Sequence, residues 1–278
     1  MSPSSVAPFR NFVTLLTTNW ERYVTSSFLF ARTGAGVHVG ACFYTSDDMK
    51  HAKVLRLAAG EHIAVVDGAS DYFECEVVSF DSGELSVSIA QKLSSHTRPE
   101  IVLVQGLAKG DKMDTIVRHA TEVGIAEFVP MATSRSVVKL DAKKSKARFD
   151  RWASIAKSAA MQSGRSSKPV VHAPCSLAEA FDIVKDCDGV LICWEEAELS
   201  DTLAKAVSRC IGATGKDPRS LRIALVVGPE GGLTAQEVNH FLALPFAHSI
   251  SLGPSILRTE TAGIVAPALA LYELEVRS

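Results

Sequence analysis

Two short segments hold residue types that could do chemistry. Gly-Pro-Glu-Gly-Gly at 228–232 follows the apolar run Leu221–Val227 and precedes Thr234 and Glu237, spaced as a capping box at a helix start. Glycines let backbone approach a ligand closely and accept positive φ, and Pro229 stiffens the turn. The spacing fits neither G-x-G-x-x-G nor G-x-x-x-x-G-K-[ST], and Glu230 would repel a phosphate. The segment reads either as a tight strand–helix turn or as a backbone cradle for a ligand without phosphates. The second segment, Ser251–Ala262 (SLGPSILRTETA), again sets Gly-Pro after an apolar strand and leads Arg258, Thr259, Glu260 and Thr261 into a helix. Thr259 or Thr261 is expected to cap that helix, and Glu260 suits its positive end. Arg258 stands at the wrong end for the helix dipole, which points to an anion, or a group becoming anionic, bound beside it. Pro267 is expected to kink the same helix.

A third feature is electrostatic. Residues 135–168 hold ten basic residues against two acidic ones, in a chain of net charge −2. Such a run is either a solvated helix face or a footprint for a phosphate backbone; its length and single sign favour the footprint. Trp194 stands near a strand end, where it lines a pocket or fills the core. Glu195, Glu196 and Glu198 follow it as a solvated loop or as a lure for an amine or sulfonium. No histidine spacing suits a metal, no C-x-x-C pair is present, and no G-x-S-x-G occurs. Cys42, Cys75, Cys175, Cys187, Cys193 and Cys210 read as reduced thiols, which favours the cytoplasm.

These segments need strands and helices to hold them. From residue 101 onward, strand and helix patterns alternate: strands at Ile101–Leu107, Ile125–Met131, Val190–Trp194, Leu221–Val227 and Ala247–Leu252, and helices at Asp111–Val123, Lys143–Gln162, Ser176–Asp186, Ser200–Ile211, Thr234–Leu242 and Glu260–Val276. The alternation implies a largely parallel sheet covered on both faces. Ligands in such sheets sit beyond the carboxyl ends of strands, here Cys193–Ala197, Gly228–Leu233 and Gly253–Thr261. Residues 37–93 instead show short β-rich runs, Glu61–Asp67 and Tyr72–Ser79, punctuated by Gly60, Gly68 and Gly83, as in a small barrel. A boundary is expected near Leu93–Pro99. Residues 1–46 contain one acidic residue, Glu21, with Arg10, Arg22 and Arg32, as in a ragged extension or a transit peptide.

Of the 278 residues, 47% are hydrophobic and 22% charged, an ordinary globular composition that argues against a largely disordered chain. The near-neutral charge excludes whole-surface attraction to nucleic acid. The longest apolar stretch, Ile264–Tyr272, is far short of the roughly 20 residues a membrane helix needs.

GPEGG followed by LTAQEV, then SLGPSILRTETA, resembles the small-subunit ribosomal RNA uridine-N3 methyltransferases of the knotted SPOUT class. The stretches 51–68, 109–139 and 159–169 extend the likeness. It implies an α/β fold: a knotted SPOUT-type domain over 96–278 after a small PUA-like β-barrel over 26–95 for RNA, with 1–25 as an N-terminal extension. It also implies a homodimer, small-subunit ribosomal RNA or the assembled subunit as partner, no metal, and S-adenosyl-L-methionine as cofactor. The cofactor would be enclosed by Gly228, Pro229, Glu230 and Gly231 of the first loop. Ser251, Leu252, Gly253, Ile256, Leu257 and Thr259 of the second would complete the enclosure with Cys193 and Trp194. Arg258 would stabilise charge on the base, and Glu260 or Glu230 would accept its proton. Arg135, Gln162, Ser163, Arg165 and Lys168 would position RNA. The chain departs from the family at Lys50, where a histidine usually precedes His51, and at Pro267. Two alternatives stay open: a knotted methyltransferase acting on another RNA position, and a non-catalytic RNA-binding or assembly protein.

Overall fold

The computed structural model describes residues 28–30, 58–66, 72–81, 84–93, 98–137, 141–165 and 167–277. The expectations for residues 1–25, His51, Cys42 and Lys139 fall outside them. The chain divides into two compact units, Met1–Ser95 and His96–Ser278. The described strands of the first unit run β1 (Phe28–Phe30), β2 (His62–Val66), β3 (Tyr72–Asp81) and β4 (Glu84–Leu93). β1 lies parallel to β2, and the β2–β3 and β3–β4 pairs are antiparallel, with register shifts at Glu74/Cys75 and Val77/Ser79. Ile63, Phe73, Cys75, Val77 and Val87 are buried.

The second unit is built on β5 (Glu100–Gly106), β6 (Glu127–Met131), β7 (Val170–Val171), β8 (Gly189–Cys193), β9 (Arg222–Val227) and β10 (Ala247–Ile250). All pairs are parallel, in the order β10-β8-β9-β5-β6-β7. Helices α1 (Lys112–Val123), α2 (Ala142–Gln162), α3 (Leu177–Val184), α4 (Leu203–Thr214), α5 (Ala235–Leu242) and α6 (Thr259–Val276) connect or follow the strands. Period-two alternation sorts the strand residues into two cores. Ile101, Leu103, Ile223 and Leu225 face α1, α2, α4 and α6, while Val102, Val104, Ala224 and Val226 face α3 and α5. Burial on both faces explains the continuous apolar runs Ile101–Val104 of β5 and Ile223–Val227 of β9.

Helix ends follow local chemistry where that chemistry is available. Ser176 with Glu179 and Thr234 with Glu237 both form complete capping boxes. Helix α6 departs from expectation at its start. Its N-cap is Arg258, which makes no side-chain capping bond, so neither Thr259 nor Thr261 caps it. It continues through the buried Pro267 to Val276, the end expected for it. Packing of Ala262, Ala266, Ala270 and Leu274 into the core holds the helix across the lost backbone bond.

At the amino-terminal end of the sheet, Glu127 of β6 meets Arg222 of β9, two strands away, and His172 just after β7. It accepts hydrogen bonds from His172 at 2.8 Å and Arg222 at 2.5 Å. The His172 bond, against the opposing pull of burial, and then Arg222 hold its carboxyl at about 2. The folded value lies below the usual 4.5, so the stabilisation is complete above that pH and fades as pH falls toward about 2. Glu127→Gln should lower unfolding free energy at neutral pH by about 2 kcal/mol, allowing for partial exposure. It should also flatten the pH dependence below 4.5 in denaturant titrations; an unchanged acid profile would contradict this.

Candidate active site

The parallel register brings the carboxyl ends of four strands level. Gln105 of β5 pairs with Val227 of β9, which pairs with Cys193 of β8, which pairs with Ile250 of β10. The chain leaves all four ends around one cavity of about 560 Å³, within the roughly 300–1,000 Å³ usual for small-molecule sites. Residues 193–195, 199, 227–232 and 251–259, with Lys112 at the start of α1 and Ala262, form its wall. The twelve residues expected to enclose a cofactor all lie on that wall, as does Arg258.

Hydrogen bonds tie the two Gly-Pro loops together. The Thr259 hydroxyl donates to the Gly228 carbonyl at 2.6 Å and accepts from Gln105 Nε2 at 2.9 Å. Gln105 is fully buried, and its amide also reaches the Gly106 carbonyl at 3.2 Å. This use of Thr259 is why it cannot cap α6. The first loop folds on itself: a Cβ on Gly228 would lie 2.9 Å from the Gly232 carbonyl carbon, and Gly232 has φ +71° with the Glu195 carboxylate against its Cα. Both positions are therefore closed to larger residues. Arg135 packs on Gly231 and donates to the carbonyls of Gly231 at 2.9 Å and Leu233 at 3.3 Å.

Charge is concentrated on one side of the cavity. Lys112 at the start of α1 lies 3.0 Å from Glu230 Oε1 and 3.4 Å from Glu260 Oε2. The Lys109 N–H also donates to Glu230 at 3.0 Å. Burial pulls the Glu230 carboxyl up, but the N–H of Lys109, its own N–H and the Lys112 ammonium together hold it below the usual range. The Lys112 ammonium is held above its usual range, first by its hydrogen bond to Glu230 and then, against burial, by the charges of Glu230 and Glu260. Arg258 is exposed, and no carboxylate among the described residues lies within ion-pairing distance of it. Burial pushes the Cys193 thiol up to about 12, so it stays protonated and is a wall rather than a nucleophile. The buried Trp194 Nε1 has no hydrogen-bond partner among the described residues.

The basic segment divides. Arg151 binds Asp114 through Nε at 2.8 Å and Nη2 at 2.6 Å, and Trp152 Nε1 reaches the same carboxylate at 3.1 Å, locking α2 to α1. Arg165 donates to the carbonyls of Thr121 at 2.9 Å and Ile125 at 2.7 Å, and burial pushes its guanidinium down to about 10. Ser163 ends α2, its hydroxyl on the Ala159 carbonyl at 2.7 Å. Gln162 and Lys168 are exposed.

Two site residues lay outside the sequence reading. Gln105 was detectable as a single amide in an otherwise apolar strand. Lys112 was detectable by extending the strand-end rule to β5. Replacing Thr259 by valine keeps the shape and removes the hydroxyl. Thr259→Val should cost about 1–3 kcal/mol in urea unfolding, because Gly228 and Gln105 lose a partner; an unchanged midpoint and slope would contradict the bridging role.

The profile of the family described as "RNA methyltransferase domain" matches residues 95–271. The chain is 32% identical to the ribosomal RNA small subunit methyltransferase E of Bacillus subtilis (strain 168) over 235 residues, 84% of this chain and 90% of that protein. It is 30% identical to the protein of the same name from Mycobacterium bovis, over 77% of this chain and 79% of that one. A solved structure of ribosomal RNA small subunit methyltransferase E from Neisseria gonorrhoeae, bound to S-adenosyl methionine, superposes with a TM-score of 0.69 at 25% identity, covering 86% of this chain and 95% of that one. The chain belongs to the RNA methyltransferase family, among the ribosomal RNA small subunit methyltransferases E.

Proposed function

We propose that the protein is an S-adenosylmethionine-dependent methyltransferase that methylates N3 of a uridine in small-subunit ribosomal RNA. The observation that supports it most is the cavity, in which two Gly-Pro loops from β9 and β10, flanking β8, are hydrogen-bonded into one wall. The wall suits the cofactor. It offers glycine backbone without room for a Cβ, an unpartnered buried Trp194 N–H, and carboxylates facing a cation. Gly228, Gly231, Leu252, Leu257, Cys193 and Trp194 would hold it. When bound, S-adenosylmethionine supplies an activated methyl group on a sulfonium.

The chain's own part is to prepare the base. Uridine N3 carries a proton at neutral pH, and its loss spreads negative charge over O2 and O4. Arg258, exposed at the cavity wall beside an uncapped helix start, would stabilise that charge. Glu260 or Glu230, both paired with Lys112, would accept the proton in this reading. Gln162 and Lys168 would meet the RNA. Arg135 and Arg165 would act by shaping the turns beside them, with Ser163 ending the basic helix. The small sheet of the first unit is read as a PUA-like barrel for RNA.

The same reading makes the carboxyl-terminal region a knot. The end of β10 is held by the segment after β8, Ser251 N–H donating to the Asp201 carbonyl, while α6 packs against the sheet centre. A second copy of the chain would cover α6, whose exposed Leu269, Tyr272 and Val276 recur at helical spacing. No helix among the described residues is long and apolar enough to cross a membrane. Cys175, Cys187, Cys193 and Cys210 are free thiols, which suits action in the cytoplasm.

Incubation with labelled donor and unmodified small-subunit particles, followed by nucleoside analysis, should yield 3-methyluridine. Label in a ribose or another base would favour a different knotted methyltransferase, and absence of transfer would favour an assembly protein. Arg258→Ala should keep donor affinity in calorimetry while turnover falls at least about tenfold; unchanged turnover would remove Arg258 from the chemistry.

A further inference from the structure

Lys112 sits where three separate parts of the chain meet. It begins α1, just after the carboxyl end of β5. Glu230 comes from the loop after β9, and Glu260 from the first turn of α6. One ammonium serves both carboxylates, at 3.0 and 3.4 Å. Glu260 Oε2 is buried and has no hydrogen-bond partner among the described residues, so Lys112 is the charge that compensates it there. Lys112 and Glu230 both line the cavity. Without the ammonium, two carboxylates would face each other across the seam between the two loops, and like charges in a partly buried site repel.

We propose that Lys112 is a positioning residue whose ammonium clasps the Glu230 loop to the start of α6 and so fixes the width of the donor cavity. This goes beyond the proposed chemistry and rests on the reading of the cavity as a methyl-donor site. The Thr259–Gly228 bond joins the loops at their bases, deep against Gln105. The Lys112 bridge joins them again through side chains at the wall. Two fastenings at different places restrict both the separation and the relative rotation of the loops, and preorganisation of this kind raises affinity without adding a contact to the ligand. Lys112 touches no reacting atom in this account. Its effect reaches the donor through Glu230 and Glu260.

The test uses the full chain and S-adenosylmethionine as probe. Donor affinity is measured by isothermal titration calorimetry, and the melting temperature is followed without ligand. Lys112→Met should weaken donor binding at least about tenfold. Lys112→Arg, which keeps a cation that can meet both carboxylates, should restore most of the affinity. The double variant Lys112→Met with Glu230→Gln removes the repulsion along with the ammonium and should bind more tightly than Lys112→Met alone. A general loss of packing would not be repaired by that second substitution. Wild-type affinity in Lys112→Met, or a double variant no better than the single one, would overturn the clasp while leaving the donor site intact. If Lys112→Met fails to fold, affinity of Lys112→Arg decides: loss of binding in that folded variant would overturn the proposal. Failure of the unaltered chain to bind S-adenosylmethionine would remove the methyltransferase reading and this inference together.

Discussion

Thr259 has one hydroxyl proton, and it goes to the Gly228 carbonyl at 2.6 Å. The oxygen is then left to accept from Gln105, whose amide must present its nitrogen. This short relay joins the ends of β5, β9 and β10 through side chains that are almost wholly buried, Gln105 and Thr259. The cavity depends on it, because a loop after β9 and a loop after β10 are separated by β8 and have no other covalent or ladder connection. Replacing water by fixed partners here makes each bond more consequential than on the surface. Gly228 then becomes necessary, because a Cβ there would meet the backbone of Gly232 and Leu233, while Gly232 is required by its φ of +71°.

Electrostatics is arranged around that frame. Glu230 and Glu260 share one lysine, while Arg258 stands exposed on the same cavity wall. A cation at a helix start is disfavoured by the dipole. Its position is intelligible where negative charge must arrive or develop beside it. Elsewhere the basic residues do different work. Arg151 and Arg165 close polar gaps between α1 and α2, and the exposed lysines of α2 remain on the surface.

What could be read in advance was local. The two capping boxes at Ser176 and Thr234 need only residues three apart, and both formed. The apolar runs that became β5 and β9 announced burial on both faces, and the two Gly-Pro loops announced a site at strand ends. What could not be read was pairing across the chain. Thr259 looked like a cap because sequence alone does not show Gly228 beside it. Arg135 and Arg165 read as cations that position RNA, and nothing local announced the distant carbonyls that each also binds. Strand order and the two-residue β7 depend on the same long-range register. Lys112 belongs to this class: an unremarkable helix lysine by spacing, it acquires a role only from carboxylates contributed by two other elements.

In this reading the loops after β9 and β10 form one donor-binding wall. Hydrogen exchange followed by mass spectrometry, with and without S-adenosylmethionine, tests it most directly. Peptides spanning 228–233 and 251–259 should gain protection together, with one common dependence on donor concentration. Protection confined to one loop, or absent from both at saturating donor, would contradict the account.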